Sequence, residues 1–248
     1  MARGYDAGLY ESIARVEPSS FWFRARNRLI VSTIRRHAPR ARSLLEVGGG
    51  TGFVLLALRE AFPGLRLVGA DLFAEGLEVA HRRLHAVELQ ELDATHLPYE
   101  EEFDVVGAFD VLEHIEDDTE ALRRMANAAR RGGVVLLLVP QHPRLWSRMD
   151  TLAHHIRRYT RRGLLTKVDE VGLEPVETSS FVSALLPAMI AARMARRALR
   201  RPFDPIAELL PGPLNGLFER VLDGERRLIE RGVSLPVGGS LLVVARKP

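Results

Sequence analysis

The chain contains no cysteine, which excludes disulfides, thiolate metal sites and cysteine nucleophiles together. Lysine is nearly missing too. Lys167 and Lys247 are the only two, so almost all of the 35 basic residues are arginine. Formal net charge is only +3, too small an excess to argue for a nucleic-acid partner. The arginines do cluster late, at Arg157-Arg158, Arg161-Arg162, Arg193, Arg196-Arg197 and Arg200-Arg201. Compositional bias is the simpler reading of these clusters, and an anionic partner is the other. Long apolar runs are absent as well. Ala184–Ala192 is apolar but contains Pro187, and it falls far short of the roughly 20 residues that span a bilayer. The expectation there is a cap helix packed on the core or across a homodimer. The second reading is a peripheral membrane or lipid contact through residues 184–201. The first residues lack the apolar centre of a signal peptide, so a cytoplasmic protein is expected.

What is present reads as an ordinary globule. The chain has 248 residues, 46% hydrophobic and 27% charged, enough for one large α/β domain. Short apolar runs alternate with helical patterns. Strands are expected at Ser43–Val47, Leu65–Ala70, Ala86–Leu89, Phe103–Phe109, Val134–Val139, Leu173–Ser180 and Ser240–Arg246. Helices are expected from Phe21 to His37, Gly52 to Phe62, Ala74 to Leu84, the Glu116 turn to Arg130, and Arg161 to Val171. Gly132-Gly133 is expected to close the fourth of these. Val134–Val139 has no polar break, as suits a strand buried on both faces. The alternation argues for a doubly wound parallel sheet.

A glycine-rich turn, Glu46-Val47-Gly48-Gly49-Gly50-Thr51-Gly52, joins the first strand to its helix. The dinucleotide fingerprint G-x-G-x-x-G fails here, because Phe53 occupies its third glycine position counted from Gly48. Asp71 ends the second strand, Asp93-Ala94 follow the third, and Phe109-Asp110-Val111-Leu112-Glu113-His114-Ile115 follows the fourth. Together these residues resemble the motifs of class I S-adenosylmethionine-dependent methyltransferases, in particular the bacterial ubiquinone and menaquinone type. The resemblance covers about residues 21–173. It implies a Rossmann-like seven-stranded sheet with the last strand antiparallel, an N-terminal helix and a helical insertion before the last strand. It also implies S-adenosylmethionine as cofactor and S-adenosylhomocysteine as product. No metal is expected, because the sequence offers no match to the carboxylate and amide set of the cation-dependent catechol-type enzymes. One domain would then span residues 1–248: a helical cap at 1–40, a cofactor-binding core at 41–183, an insertion at 184–235 and a final strand at 236–248.

Residue roles follow from the same resemblance. Glu46, Gly48, Gly49, Gly50 and Gly52 would order the loop and the methionyl end. Asp71 would accept from both ribose hydroxyls, with Leu72 or Phe73 flanking adenine. Asp93 and the amide of Ala94 would read the adenine edge. Backbone carbonyls around Phe109 and Asp110 would hold the ammonium. Phe21-Trp22-Phe23-Arg24-x-Arg26 is similar to the helix that lies over the pocket in such enzymes, so Trp22 and Phe23 are expected to contribute to acceptor binding as well as to packing. Family members often carry a histidine just before this run. Ser20 stands there instead, so no role for that histidine carries over.

Methyl transfer from a sulfonium needs positioning, and a base only where the acceptor must lose a proton. The candidates follow strand five: His142, then Trp146, Asp150, His154, His155, Arg158 and Tyr159. His155 is the first choice as base, with His154 and His142 behind it. Asp150 would orient a histidine and Arg158 would pair with an anionic acceptor. A structural hydrogen-bond cluster that merely holds the loop is an equally open reading. The function expected is methyl transfer to oxygen or carbon of a small organic acceptor, anionic or lipid-like, without nucleic acid. An RNA or protein methyltransferase and a catalytically silent binding subunit are the alternatives.

Overall fold

A computed structural model describes residues 7–198 and 212–248. Seven strands form one sheet: β1 (Ser43–Val47), β2 (Arg66–Asp71), β3 (Glu88–Glu91), β4 (Phe103–Phe109), β5 (Ala129–Pro140), β6 (Glu174–Phe181) and β7 (Ser240–Arg246). Their order is β3-β2-β1-β4-β5-β7-β6. The pairs among β1 to β5 are parallel, and β7 runs antiparallel to both β5 and β6. This is the doubly wound architecture expected, with the final strand reversed.

The helices are α1 (Ala7–Val16), α2 (Phe21–His37), α3 (Phe53–Ala61), α4 (Ala74–Arg83), α5 (Asp118–Ala128), α6 (Arg148–Leu152), α7 (Arg161–Glu170), α8 (Leu186–Ala198) and α9 (Asn215–Glu230). Alternation along β5 divides its side chains between two cores. Val135, Leu137 and Val139 join Leu122 and Met125 of α5 and Leu164 and Val168 of α7. Val134, Leu136 and Leu138 join Leu29 and Ile30 of α2, Leu55 and Leu58 of α3, and Leu222 and Ile229 of α9. Each such fully buried side chain contributes about 1.5–3 kcal/mol relative to exposure. The unbroken apolar run at Val134–Val139 is therefore buried on both faces.

The helix expected to reach Arg130 ends at Ala128 instead. Gly132-Gly133 lie within β5, where the pairing with β4 jumps from Phe103↔Ala129 to Val105↔Val134. Gly132 has φ +73, and a Cβ on Gly133 would stand 2.7 Å from the Arg130 carbonyl. The glycines thus permit a bulge at the foot of the strand. β3 starts two residues later than expected, at Glu88. Two elements were not foreseen. One is α1. The other is α6, closed by a capping box in which Ser147 and Asp150 bond reciprocally.

Both inserted helices lie between β6 and β7 in sequence. α9 packs on α2 through Arg24 and Arg28 to Glu219 and Arg28 to Asp223. Glu225 of α9 accepts from the amides of Ser183 and Ala184, which fixes the exit from β6. Arg200-Arg201 lie outside the described residues, as does the end of the proposed membrane contact through residues 184–201. None of the described helices is long and apolar enough to cross a membrane.

Candidate active site

The carboxyl ends of the parallel strands carry the site, where ligands bind in open α/β sheets. Four non-glycine residues there hold positive φ: Asp110 (+59), His142 (+62), His154 (+56) and Val182 (+61). Such backbone strain persists only where the surroundings enforce it, and it clusters at functional sites. For β-branched Val182 it is a marked outlier.

The glycine loop is tied to β2. The amides of Gly48 and Gly49 donate to the Ala70 carbonyl at 2.7 and 3.1 Å. The Gly50 amide donates to Asp71 Oδ2 at 2.8 Å, and the Phe73 amide to Oδ1 at 2.9 Å. Burial raises the Asp71 pKa, and these amide bonds work against that rise. Gly48, Gly50 and Gly52 all have positive φ, as L-residues rarely do. A Cβ on Gly48 would meet Val111 Cγ2 at 2.3 Å, and one on Gly52 would meet Leu84 Cδ1 at 2.7 Å. At Gly50, by contrast, a Cβ would meet no atom within 4 Å. The loop is close-packed at both ends and open at its middle, beside Asp71 and the exposed Leu72. That is the form of a cradle for a nucleoside.

Glu46 is 2% exposed, and its Oε2 has no hydrogen-bond partner. Burial drives its pKa well up, Arg26 offsets part of this, and Asp71 and Glu17 add to it. Arg26, on α2, donates to Asp110 Oδ2 at 2.8 Å and lies 5.3 Å from the Phe23 ring centroid. The sequence motif includes Arg26 but gives it no role; its signal is an arginine on the buried face of that aromatic helix. Glu17 was missed. It accepts from Thr51 Oγ1 in the loop and from Arg83 of α4. The unpartnered Glu46 oxygen, the open Gly50 and the Arg26–Asp110 pair suit a ligand with hydroxyls, an ammonium and a carboxylate, as S-adenosylmethionine has.

Asp93 caps its own turn. The Thr95 amide and hydroxyl donate to its Oδ1 at 2.8 and 2.7 Å. Burial pushes its pKa up, but together these bonds and His96 bring it below the ordinary value. Its side chain keeps 44% exposure, and Ala94 beside it is buried. Phe109 is buried, with its ring folded over Gly107. Trp22 lies 6.2 Å from Phe181 and Phe23 lies 6.4 Å from Phe53, ring centre to ring centre.

On the acceptor side, Asp150 is the hub. It is 1% exposed and accepts from the Ser147 amide and hydroxyl, from Arg158, and faces His155 Nδ1 at 3.0 Å. Burial opposes its ionisation, but His155, Arg158 and Ser147 hold its pKa well below the carboxylate range. Arg158 is thereby committed to Asp150 and to the Gln141 carbonyl. Tyr159 does not line an acceptor surface. Its hydroxyl bonds Asp118 at 2.6 Å and the Leu112 carbonyl at 3.0 Å inside the core, which pushes its pKa far up by burial and by Asp118. Trp146 is 43% exposed, with Nε1 on Thr151. His154 is exposed, and its backbone bonds the His114 ring. His142 Nε2 is buried without a partner, and burial followed by Arg158 lowers its pKa.

The Ile156 amide donates to the Glu113 carbonyl at 2.9 Å and so draws the loop onto the turn after β4. Among the described residues this brings Glu113, His114 and His155 together, with ligand atoms within 4.8 Å of one another. Glu113 is fully buried with both carboxyl oxygens unpartnered. Burial and Asp110 raise its pKa well above the ordinary value. His114 is pushed down to about 4 by burial and then by His155, whose ring it meets edge-on at 4.7 Å.

Residues 20–178 match the family model described as a methyltransferase domain. A ubiquinone biosynthesis O-methyltransferase of Sodalis glossinidius is 33% identical over 49% of this chain and 51% of that protein. One of Ruegeria pomeroyi is 31% identical over 56% of this chain and 62% of its own. The chain thus spans only about half to three fifths of the length of these curated relatives. Among solved structures, a phosphoethanolamine N-methyltransferase of Haemonchus contortus, in complex with S-adenosylhomocysteine, aligns with a TM-score of 0.65. That alignment has 18% identity over 98% of this chain and 58% of the other, a likeness of fold.

Proposed function

Because this chain belongs to the methyltransferase-domain family, we propose that it moves a methyl group from S-adenosylmethionine to an oxygen or carbon of a small organic acceptor. The observation that carries this reading is the cradle: Glu46 to Gly52 bound to Asp71, packed at its ends and open at Gly50. Asp71 takes the ribose hydroxyls on the lone pairs its two amide bonds leave free. Leu72 flanks the adenine, and Asp93 with Ala94 meets its edge. Glu46 and Asp110 face the ammonium, and Arg26 faces the carboxylate. The bound cofactor supplies an activated methyl for in-line displacement, so orientation accounts for much of the rate.

His155 serves the acceptor. With Nδ1 donating to Asp150, Nε2 is the nitrogen free to take a hydroxyl proton. Asp150 and Arg158 fix the loop that presents it. The relatives' names support an oxygen acceptor. Exposed Ile190 and Met194 on α8 support an acceptor with an apolar body, or contact with a lipid surface. The test is S-adenosylhomocysteine release over a panel of phenols, quinone precursors and lipids. A hydroxylated small molecule should turn over, and His155→Asn should lower kcat more than KM. Turnover with RNA or protein substrates alone, and with no small molecule, would overturn the reading.

A further inference from the structure

We propose that the groove between α2 and α9 binds a phosphoryl anion of about diphosphate size, at a site apart from the cofactor cradle. Arg28, Val31, Arg35 and Arg36 of α2 line one side, and Arg226 and Glu230 of α9 line the other. The α2 residues recur at helical spacing and so share one face. Arg26 stands two positions before Arg28 and is turned away to Asp110. The groove encloses about 450 Å3.

Positive charge is in surplus there. Glu219 is shared by Arg24 and Arg28, and Asp223 by Arg28 and Arg226. Glu177 is shared by Arg36 and His37, and Glu230, the acid on the wall, is taken by Arg226. Arg35 is left over. It lies 5.5 Å from the centre of the Phe62 ring and pairs with no carboxylate among the described residues. Unspent donors accompany the charge. Arg28 Nη2 and Arg36 Nε are buried without a hydrogen-bond partner, a state native proteins rarely leave unexplained. Arg226 has Nε on Asp223 and Nη1 on Glu230, which leaves Nη2 over.

Planar guanidinium forks match the paired oxygens of phosphoryl groups. Arg28 and Arg36 stand eight residues apart, about 12 Å along the helix. That reach and the enclosed volume suit two linked phosphoryl groups better than one carboxylate. Val31 offers an apolar contact to whatever carries them. A bound anion bridges α2 to α9 and so clamps the inserted helix to the helix that carries Arg26. The site does not depend on the methyl-transfer reading.

Inorganic pyrophosphate is the probe, titrated by calorimetry into the full chain at physiological ionic strength. Exposed charges more than about 8 Å apart are largely screened there. One equivalent should bind, and the Tm should rise with it. Arg35→Gln and Arg226→Gln should each bind roughly tenfold more weakly. Arg123→Gln, at an exposed arginine of α5 across the sheet, should bind as the parent does. Arg35→Gln breaks no ion pair, so it decides if Arg226→Gln fails to fold. S-adenosylhomocysteine is titrated into the same samples, so the cofactor reading and this one fail separately. Vesicles of phosphatidylcholine, with and without phosphatidic acid, identify the source of the phosphoryl group. Displacement of pyrophosphate by the acidic vesicles alone assigns it to a lipid headgroup, and no displacement assigns it to a soluble compound. No binding at this ionic strength, or equal binding by the parent and Arg35→Gln, overturns the site.

Discussion

Replacing Arg26 with methionine tests whether the acidic floor of the site is held by one cation. The Arg26 side chain is 10% exposed and donates to Asp110 at 2.8 Å. It also lowers the pKa of Glu46 and of Glu113, each of which burial drives upward. Methionine keeps the apolar stem and removes the charge. Breaking a buried pair by deleting one partner costs about 3–5 kcal/mol. Asp110 keeps 24% side-chain exposure, so water recovers part of that cost. Loss of the arginine from the Phe23 ring adds about 0.5–1 kcal/mol. The net expectation at pH 8 is about 3 kcal/mol, or a fall in Tm of about 6–12 °C for a chain of this size. The sign with pH follows from the carboxylates. Without Arg26 their folded pKa values rise further, so the variant regains stability as pH falls and they protonate. Urea unfolding at pH 8 and pH 5.5 measures both effects. Arg26→Met/Asp110→Asn should recover more than half of the loss at pH 8. A variant as stable as the parent, or a deficit that grows toward pH 5.5, would refute the reasoning.

Gly52→Ala and Gly50→Ala should separate packing from binding. At Gly52, φ of +73 and contacts at 2.7–3.3 Å should cost about 2–4 kcal/mol in urea unfolding. At Gly50, where the Cβ enters open space, stability should fall by only about 1 kcal/mol while S-adenosylhomocysteine affinity drops at least tenfold by calorimetry. Asp118 accepts from Tyr159, Lys167 and Arg157, and against the cost of burial these bonds set its pKa below the ordinary value. A depressed carboxylate stabilises the fold above the unfolded pKa and loses that contribution as pH falls through the folded one. Asp118→Asn should therefore lower Tm at pH 7 and flatten its decline below about pH 4.

The candidate cofactor half of the site was legible because its residues are local. Glu46 to Gly52 lies within one turn, and the positive φ values at Gly48, Gly50 and Gly52 admit glycine above any other residue. Asp71 was legible because it ends a strand. The partners of Arg26 and Glu17 were not, since each meets its partner across the fold. Arg26 reaches Asp110 over 84 positions, and Glu17 reaches Thr51 over 34. On the acceptor side the residue types were found and their partners were not. Tyr159 serves the core through Asp118, and Arg158 is bound to Asp150 rather than offered to an anion. Asp150 both caps α6 and orients His155, and spacing announced only the second of these. Gly132-Gly133 misled because a bulge at the foot of a strand and a helix stop favour the same residue.

The central claim is that the Glu46–Gly52 cradle with Asp71 binds S-adenosylmethionine. Calorimetric titration of S-adenosylhomocysteine into the parent and into Asp71→Ala tests it most directly. Two ribose hydroxyls on one carboxylate are worth about 1.5–3 kcal/mol each, so the variant should bind at least tenfold more weakly. The parent should saturate at one equivalent. No binding by the parent, or equal affinity in Asp71→Ala, would contradict the account.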